Sequence, residues 1–484
     1  MMRSLYSGVS GLKVHQTKMD VIGHNISNVN TIGFKAGQVN FSDILYQTTA
    51  NASGPNAQAN TAGTNARQIG LGASVASITN TVTLSGGTQR TDNALDLMIE
   101  GEQLFIVNNG IQNYFTKAGA FTIDAAGVLC NNGGCKVMGW QVDPQNPDRC
   151  IKDTVSELRV KSPENSYTEP EATTDVYFTG NFDYKDAQFQ SDEGKTTTIS
   201  FYDKTGQNYM ALLSVKSVDT TDDNGDYTVA VTDILDSNGE SIFRKYNETT
   251  KKYEPNPNIN SIRFGTADTD TFSATVDPDT GDVTLTGTRV PLQFDSSTGQ
   301  FAIVGTDTNK PKSVGFEILD NSGNSPFSKI DCDFSNLTMY ASSGSSSLAS
   351  QRGNAENGTG TGKPKGSMTG ISVDTSGRIY GSYDNGDKRL LCQIAVARFS
   401  NPAGLEAVGN SLFVDTLNSE KFNGIGEEIT QSGGKISSGV LEMSNVDLST
   451  EFTSIITTQR GFQANSRVIT TSDTMLEELI NLKR

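Results

Sequence analysis

The side chains that could carry out catalysis or bind metal ions are few and scattered. The sequence contains two histidines, His15 and His24, and their spacing of nine residues does not place them on one helix face as metal ligands. It contains no C-x-x-C, H-E-x-x-H or G-x-S-x-G motif. No carboxylate stands out as a general base. We therefore expect no catalytic, metal-binding or cofactor-binding residues, and we expect that the chain is not an enzyme.

The five cysteines are too few for a disulfide scaffold in a chain of 484 residues. Cys130 and Cys135 bracket an Asn-Asn-Gly-Gly turn, so they could face each other across a hairpin. The alternative, which we favour, is that they are unpaired thiols packed as small apolar side chains. The sequence leaves open whether any cysteine forms a crosslink within or between subunits: Cys130, Cys135, Cys150, Cys332 and Cys392.

The formal net charge is −17, which argues against a nucleic-acid partner because phosphate binding needs clustered basic residues. Residues 1–35 contain four basic residues and one acid, so the acidic excess belongs to the middle of the chain. No apolar run approaches the roughly 20 residues of a membrane helix, and we expect no membrane insertion. Polar residues interrupt the N-terminus, which does not resemble a secretory signal. Taken alone, this composition predicts a cytoplasmic protein.

Apolar residues recur every seven positions near both ends of the chain. At the N-terminal end, the repeat and its neighbouring positions comprise Leu5, Val9, Leu12, Met19, Ile22, Ile26 and Val29. At the C-terminal end they comprise Leu441, Leu448, Ile455, Phe462, Ile469, Leu476 and Leu479. Heptad spacing is typical of helices that pack along one seam. The sequence therefore predicts a helix at each end.

The two helices can bury their apolar seams in two ways. They can pair within one molecule as a parallel or antiparallel stalk, or they can pair and also pack against neighbouring copies in a polymer. Additional apolar residues of the C-terminal segment lie off the main seam: Phe452, Ile456, Val468 and Met475. Because this apolar surface exceeds the need of one partner, we favour the polymer.

Between the ends, short runs rich in β-formers alternate with turns, and Asn-Gly dipeptides mark hairpins. We expect a mainly β multi-domain body, with terminal helices that pair as a coiled-coil-like stalk. We expect four domains. Residues 1–30 and 446–484 form a terminal helical polymerisation domain, and residues 31–75 form a connecting segment. Residues 76–149 and 366–445 form an inner β-domain, and residues 150–365 form an inserted outer β-domain.

Both terminal segments resemble the bacterial flagellar rod and hook protein family. The resemblance lies in LYSGVSGL at residues 5–12, in MDVIGHNISNVNTIGFK at 19–35, and in GVLEMSNVDL and QRGFQANSR near the C-terminus. Within the N-terminal motif we single out Asn25, Asn28, Gly33, Phe34 and Lys35. His24, Ser27 and Gly461 depart from the family pattern, and a glycine inside a helix costs about 1 kcal/mol, so a bend is expected there.

The resemblance implies a structural protein that polymerises with itself and has no cofactor. Because the 150–365 insert is too long for a rod protein, we expect a subunit of the flagellar hook, a flexible curved tube that transmits motor torque to the filament. The resemblance also implies export through the flagellar type III apparatus without a cleaved signal, which overrides the cytoplasmic expectation. The implied partners are the rod, the hook cap and the hook–filament junction proteins. The alternatives are a distal rod protein and a secreted surface adhesin.

Overall fold

The structure is a computed structural model that describes residues 2–55, 62–218, 225–267, 270–306, 311–320 and 325–482. Strands dominate the chain between two long helices, α1 (Met2–Ser27) and α2 (Leu448–Asn481), and the helices pack against each other. The prediction of a mainly β body with paired terminal helices is confirmed.

Asp447 fixes the start of α2. Its side chain accepts hydrogen bonds from the backbone N–H of Ser449 (2.9 Å) and from Oγ1 of Thr450 (2.7 Å). The first bond satisfies a backbone N–H that the first helical turn leaves without a partner, and the second holds the capping side chain in place. Glu451 adds a negative charge in the first turn, where it interacts favourably with the helix dipole.

The chain divides into two compact units. The first unit comprises Met1–Ser166, Thr369–Ser382 and Lys388–Arg484, and the second comprises Tyr167–Met368 and Tyr383–Asp387. The second unit is therefore an insertion, and both chain ends belong to the first unit.

Within the described residues, thirteen strands precede the insertion. They are Gly37–Asp43 (β1), Tyr46–Ala50 (β2), Arg67–Gly70 (β3), Ala73–Asn80 (β4), Thr88–Arg90 (β5), Leu97–Glu100 (β6), Leu104–Asn108 (β7), Asn113–Thr116 (β8), Phe121–Ile123 (β9), Leu129–Asn131 (β10), Lys136–Asp143 (β11), Asn146–Cys150 (β12) and Ser156–Glu157 (β13). β1 pairs with β4 and β2 with β3, so that two consecutive antiparallel ladders form the segment after α1.

The strands of the insertion form two main sheets around one core. They are Tyr167–Thr168 (β14), Asp175–Asn181 (β15), Lys195–Tyr202 (β16), Asn208–Ser217 (β17), Asp226–Leu235 (β18), Arg244–Asn247 (β19), Lys252–Pro255 (β20), Ile259–Gly265 (β21), Thr271–Val276 (β22), Val283–Gly287 (β23), Val290–Phe294 (β24), Phe301–Val304 (β25), Ser313–Asp320 (β26), Ile330–Thr338 (β27) and Ser347–Arg352 (β28). The sheet orders are β23-β22-β21-β26-β27-β15-β28 and β16-β17-β18-β24-β25. Buried phenylalanines dominate this core, and the rings of Phe178 and Phe334 stack 4.4 Å apart.

The chain then returns to the first unit. The remaining strands are Gly366–Val373 (β29), Arg378–Tyr383 (β30), Lys388–Ile394 (β31), Val396–Ala397 (β32), Glu406–Gly409 (β33), Leu412–Val414 (β34), Lys435–Ser438 (β35) and Val440–Glu442 (β36). β35 pairs with β6 and β36 with β5. These two pairings join the strands that lead into α2 to strands that precede the insertion.

The core of the first unit's β-domain contains the only tryptophan of the chain, Trp140. Its indole N–H donates to the carbonyl oxygens of Asp153 (3.0 Å) and Ile425 (3.2 Å), which satisfies the polar atom of a buried side chain. Trp140 is therefore an intrinsic fluorescent probe of this domain.

All five cysteines are free thiols. Across the β10–β11 hairpin, the residue opposite Cys130 is Lys136, while Cys135 lies in the turn. Burial raises the pKa of the Cys332 and Cys392 thiols, which keeps both of them protonated at neutral pH. Because Cys130 lies opposite Lys136, Cys130 and Cys135 do not face each other across the hairpin.

Candidate assembly site at the chain termini

The helices α1 and α2 run antiparallel. Ser4 Oγ lies 3.4 Å from Ser472 Oγ near one end of the pair. Near the other end, Asn25 Nδ2 donates to Glu451 Oε1 at 2.9 Å. Residue numbers thus rise along α1 as they fall along α2. The structure selects the antiparallel arrangement from the two that the heptads left open.

Three glycines let the helices approach closely. A Cβ at Gly8 would lie 3.0 Å from Ile469 Cγ1, and one at Gly11 would lie 2.6 Å from Asn465 Nδ2. A Cβ at Gly461 would lie 2.7 Å from His15 Cε1. Contacts under 3 Å require the neighbour to move, since protein interiors are close-packed. The sequence showed Gly461 only as a helix-weakening residue, whereas in the structure it provides the space that His15 occupies.

Most of the predicted seam residues are partly exposed to solvent. Ile22 is buried and Val9 is exposed. The other partly covered members on the two helices are Leu5, Leu12, Met19, Ile26, Ile455, Phe462, Ile469 and Leu476. Leu448, Phe452 and Leu479 are exposed. One partner helix therefore covers only part of the apolar seam.

Two predicted helix residues lie outside the helices. Val29 follows the end of α1, where the Asn28 side chain donates to the carbonyl oxygen of His24 (2.9 Å) and the chain turns. Leu441 lies in β36, where it pairs with Gln89 of β5 and is buried. Its heptad spacing from Leu448 is coincidental, because the helix begins only after the Asp447 cap. Assigning these two residues to the helices was wrong.

A buried ion pair joins the segment after α1 to the segment before α2. Lys35 Nζ lies 2.8 Å from Glu442 Oε1, and both side chains are fully buried. Lys35 Nζ also donates to the carbonyl oxygen of Leu84 (2.6 Å), and the Gly86 N–H donates to Glu442 Oε1 (3.0 Å). These bonds offset part of the cost of burying the two charges.

A second lysine shares this buried environment. Lys117 is buried and its Nζ donates to the carbonyl oxygen of Gly101 (2.6 Å). Burial lowers the pKa of Lys117 to about 8, an effect that the Glu442 carboxylate opposes and the Lys35 ammonium reinforces. Glu442 therefore pairs directly with Lys35 and also favours the charged form of Lys117 at longer range, where Glu102 acts in the same direction.

Two asparagines connect the helices to the connecting segment. Asn25 accepts from the Gly37 N–H (2.9 Å) and donates to the Gly37 carbonyl oxygen as well as to Glu451. Asn445 accepts from the Ala36 N–H (2.8 Å), and its amide group donates to the carbonyl oxygen of Thr81 (3.0 Å). Sequence reasoning did not single out Asn445, although its position just before the helix cap was a usable signal.

The turn after α1 requires glycine. Gly33 has φ +67°, its N–H donates to the Glu442 carbonyl oxygen (2.8 Å), and a Cβ there would lie 2.5 Å from the Ala118 nitrogen. The ring of Phe34, the next residue, packs edge-on against His24 at a centroid distance of 5.4 Å. The motif residues of the N-terminal segment thus lie at one junction.

Both helices leave large apolar side chains uncovered. On α1, Met2 and Tyr6 are 62% and 67% exposed. On α2, Phe452, Ile456 and Ile480 are 53%, 58% and 68% exposed. Because Ser4 lies opposite Ser472, the last turns of α2 extend past the start of α1. Pairing of the two helices therefore leaves exposed apolar side chains on both of them.

The described part of the chain contains no cluster of three or more histidine, cysteine, aspartate or glutamate side chains that could hold a metal ion. None of its helices is long and apolar enough to span a membrane.

Comparisons with known proteins match both terminal segments and the full length of the chain. Residues 5–35 match the family described as flagella basal body rod protein, and residues 437–482 match the flagellar basal body rod FlgEFG protein C-terminal family. The flagellar hook proteins FlgE of Treponema pallidum and Borreliella burgdorferi are 33% and 35% identical to this chain, each over the full length of both proteins. The rod protein FlgG of Bacillus subtilis is 26% identical, also over both full lengths. The chain therefore belongs to the family of flagellar hook proteins, which are structural subunits of the bacterial flagellar hook.

Proposed function

We propose that the chain polymerises through its terminal helices into a flexible, curved tube that transmits motor torque to the filament. The observation that carries the proposal is the apolar surface of α1 and α2 that the chain itself leaves uncovered, including Phe452, Ile456 and Ile480. In a helical polymer, neighbouring copies would cover these side chains, and the buried apolar area would drive assembly.

The domain roles follow from this scheme. Residues 1–30 and 446–484 form the polymerisation domain, 31–75 connect it to the body, 76–149 with 366–445 form the inner β-domain, and 150–365 form the outer one. The connecting segment is suited to transmit strain because its β1–β4 ladder packs on α1 and is bonded to Asn25. Movement of the helices would thereby reach the β-domain through hydrogen bonds rather than through a loose linker.

The charge of the second unit is consistent with a polymer that bends. This unit contains about twice as many acidic as basic residues, whereas the first unit is nearly balanced. Like charges on neighbouring copies would oppose tight contacts between second units, which permits them to slide as the tube bends.

The family also supplies expectations about partners and location. We propose that the chain is exported through the flagellar type III apparatus and assembles outside the cell. Its tube would contact the rod at one end, and the hook cap or the hook–filament junction proteins at the other. The uncovered helix ends are the surfaces that such neighbours would meet first.

Electron microscopy of the purified full chain under assembly conditions tests the proposal. We expect curved tubes from the full chain and none from the 31–445 fragment, with Trp140 fluorescence showing that the fragment retains its β-domain. Straight, rigid tubes would indicate a rod-like protein instead. Tubes formed by the fragment would contradict the assignment of assembly to the termini.

A point variant makes the same test without truncation. Ile456→Glu places a charge at an exposed position, so the isolated chain should keep its fold while polymerisation is lost. Gln463→Glu adds the same charge at an exposed polar position of the same helix, and this control variant should assemble more readily than the I456E variant. Equal assembly of the I456E variant and the wild type would show that this surface is not an interface.

A further inference from the structure

His15 lies where α1, α2 and β1 meet in the first unit. Its imidazole packs edge-on against the ring of Phe41 on β1, with centroids 6.1 Å apart. On the other side it faces Gly461 of α2, where a Cβ would come within 2.7 Å of both Cε1 and Nε2. The imidazole thus fills a space that α2 leaves only because residue 461 is glycine.

Two buried polar atoms on the paired helices lack hydrogen-bond partners in the described part of the chain. Within the described residues, the buried Nδ1 of His15 has no hydrogen-bond partner, and neither has the buried Oγ1 of Thr458 on α2. A neutral imidazole tolerates an unpaired acceptor nitrogen at modest cost. The residue as a whole is only partly buried, but Nδ1 is shielded from solvent, so protonation would place a full charge and a second N–H donor where the described residues offer no partner, which costs considerably more.

The neighbouring charges add to this cost. Lys18 lies on the same helix, with its Nζ 5.6 Å from the Phe41 ring centroid. Asp43 is the acidic residue of β1, two positions after Phe41, and Arg460 is the exposed residue of α2 that precedes Gly461. Burial lowers the pKa of His15, and the positive charge of Lys18 lowers it further. The ring is therefore neutral when the helices are paired at pH 7.

We propose that His15 is an acid-sensitive switch in the terminal helix pair, and that its protonation separates α1 from α2 and β1. The helix pair, and the polymer that it supports, would then weaken as the pH falls below neutral. The effect on the polymer rests on the proposed function, whereas the effect on the helix pair does not.

The direction follows from proton linkage. In the separated helices His15 regains an ordinary pKa of about 6.5, which is higher than its pKa in the paired state. Between these two values the separated state binds the proton and the paired state does not. The pairing constant therefore falls by up to about tenfold for each pH unit below 6.5, until the lower pKa is reached. Because most carboxylates titrate below this range, a scan from pH 7.5 to 5.5 isolates the histidines.

The experiment uses the full chain in wild-type form and as His24→Gln, His15→Ala and the double variant H15A/G461A. His24 is the other histidine and is exposed on α1, so H24Q is the matched control. Helix content is followed by circular dichroism at 222 nm, and polymer mass by sedimentation, over the pH scan. We expect wild type and H24Q to lose helix signal and polymer as the pH falls, and both variants that lack His15 to be insensitive.

A second readout does not depend on substitutions at His15. In H24Q the single remaining imidazole is observed by NMR after isotopic labelling of histidine, and we expect it to titrate below pH 6.5. Titration at or above 6.5, or an equal acid response in H15A and H15A/G461A, would overturn the proposal. If no protein assembles at pH 7.5, the proposed function fails, but the helix signal and the imidazole titration still decide the role of His15.

Discussion

Glu442→Gln is the substitution that tests the junction between the termini and the β-domain most sharply. The glutamine keeps the size of the side chain and an oxygen that can accept from the Gly86 N–H, while it removes the negative charge and places an NH2 group at Oε2, a buried atom without a hydrogen-bond partner among the described residues. Lys35 is then left buried without its ion-pair partner, and Lys117 loses the favourable charge of Glu442 and retains that of Glu102. Removing one partner of a buried pair typically costs 3–5 kcal/mol, and we expect about 3 kcal/mol here because the amide still accepts a hydrogen bond.

Urea unfolding followed by Trp140 fluorescence measures this loss, since the indole lies in the core of the same unit. With a slope of about 3 kcal/mol per molar urea, the transition midpoint should fall by about 1 M. Glu100→Gln is the matched control. Its pair with Lys435 is largely exposed, with side chains 41% and 57% accessible, so its loss should cost at most about 1 kcal/mol.

A third variant separates the lost charge from general disruption. Lys35→Met combined with E442Q removes the amine that E442Q leaves buried without an ion-pair partner, so the double variant should be more stable than E442Q alone. If E442Q costs no more than E100Q, the buried pair does not support the junction and the reasoning is refuted.

Three further predictions concern neighbouring residues. The pKa of Lys117 is about 8 in the folded chain and near 10.5 in the unfolded chain, so between these pH values Lys117 is neutral only when the chain is folded. The free energy of unfolding should therefore rise with pH across this range, by up to about 3 kcal/mol. Urea unfolding at several pH values should show this rise in the wild type and not in Lys117→Met. Gly461→Ala should lower helix content at 222 nm although alanine is the better helix former, and H15A should restore it. Gly33→Ala should reduce stability by more than 1 kcal/mol in urea, because both its φ and its Cβ contact are unfavourable.

The helical seams were predictable because heptad spacing is a local property of the sequence. The orientation of the helices was not, since it depends on which residues meet across more than 400 positions, as Asn25 and Glu451 do. Leu441 shows the limit of periodicity: it keeps the heptad register, but pairing with β5 and the cap at Asp447 place it in a strand. Heptad spacing within one segment contains no information about a distant strand, such as β5, that pairs with the same residue.

The buried polar contacts between the segments that flank the two helices were even harder to predict from the sequence. Lys35 appeared as part of a motif, but nothing local indicates that Glu442 is its partner or that Lys117 joins them. His15 was a histidine with no second ligand in reach, and its proposed role depends on the glycine that faces it on the other helix. Whether two helices fit together depends on the residues of both, so the apolar seam of one helix does not reveal which residue of the other helix it will meet.

Hydrogen–deuterium exchange of the monomer and of the assembled polymer tests the central claim most directly. If the terminal helices are the assembly site, amides of α1 and α2 should become strongly protected on assembly, with the largest gain in the last turns of α2. Amides of the second unit should change little, because its acidic surface opposes tight contact. Protection that appears in the second unit while α1 and α2 exchange as fast as in the monomer would contradict the account.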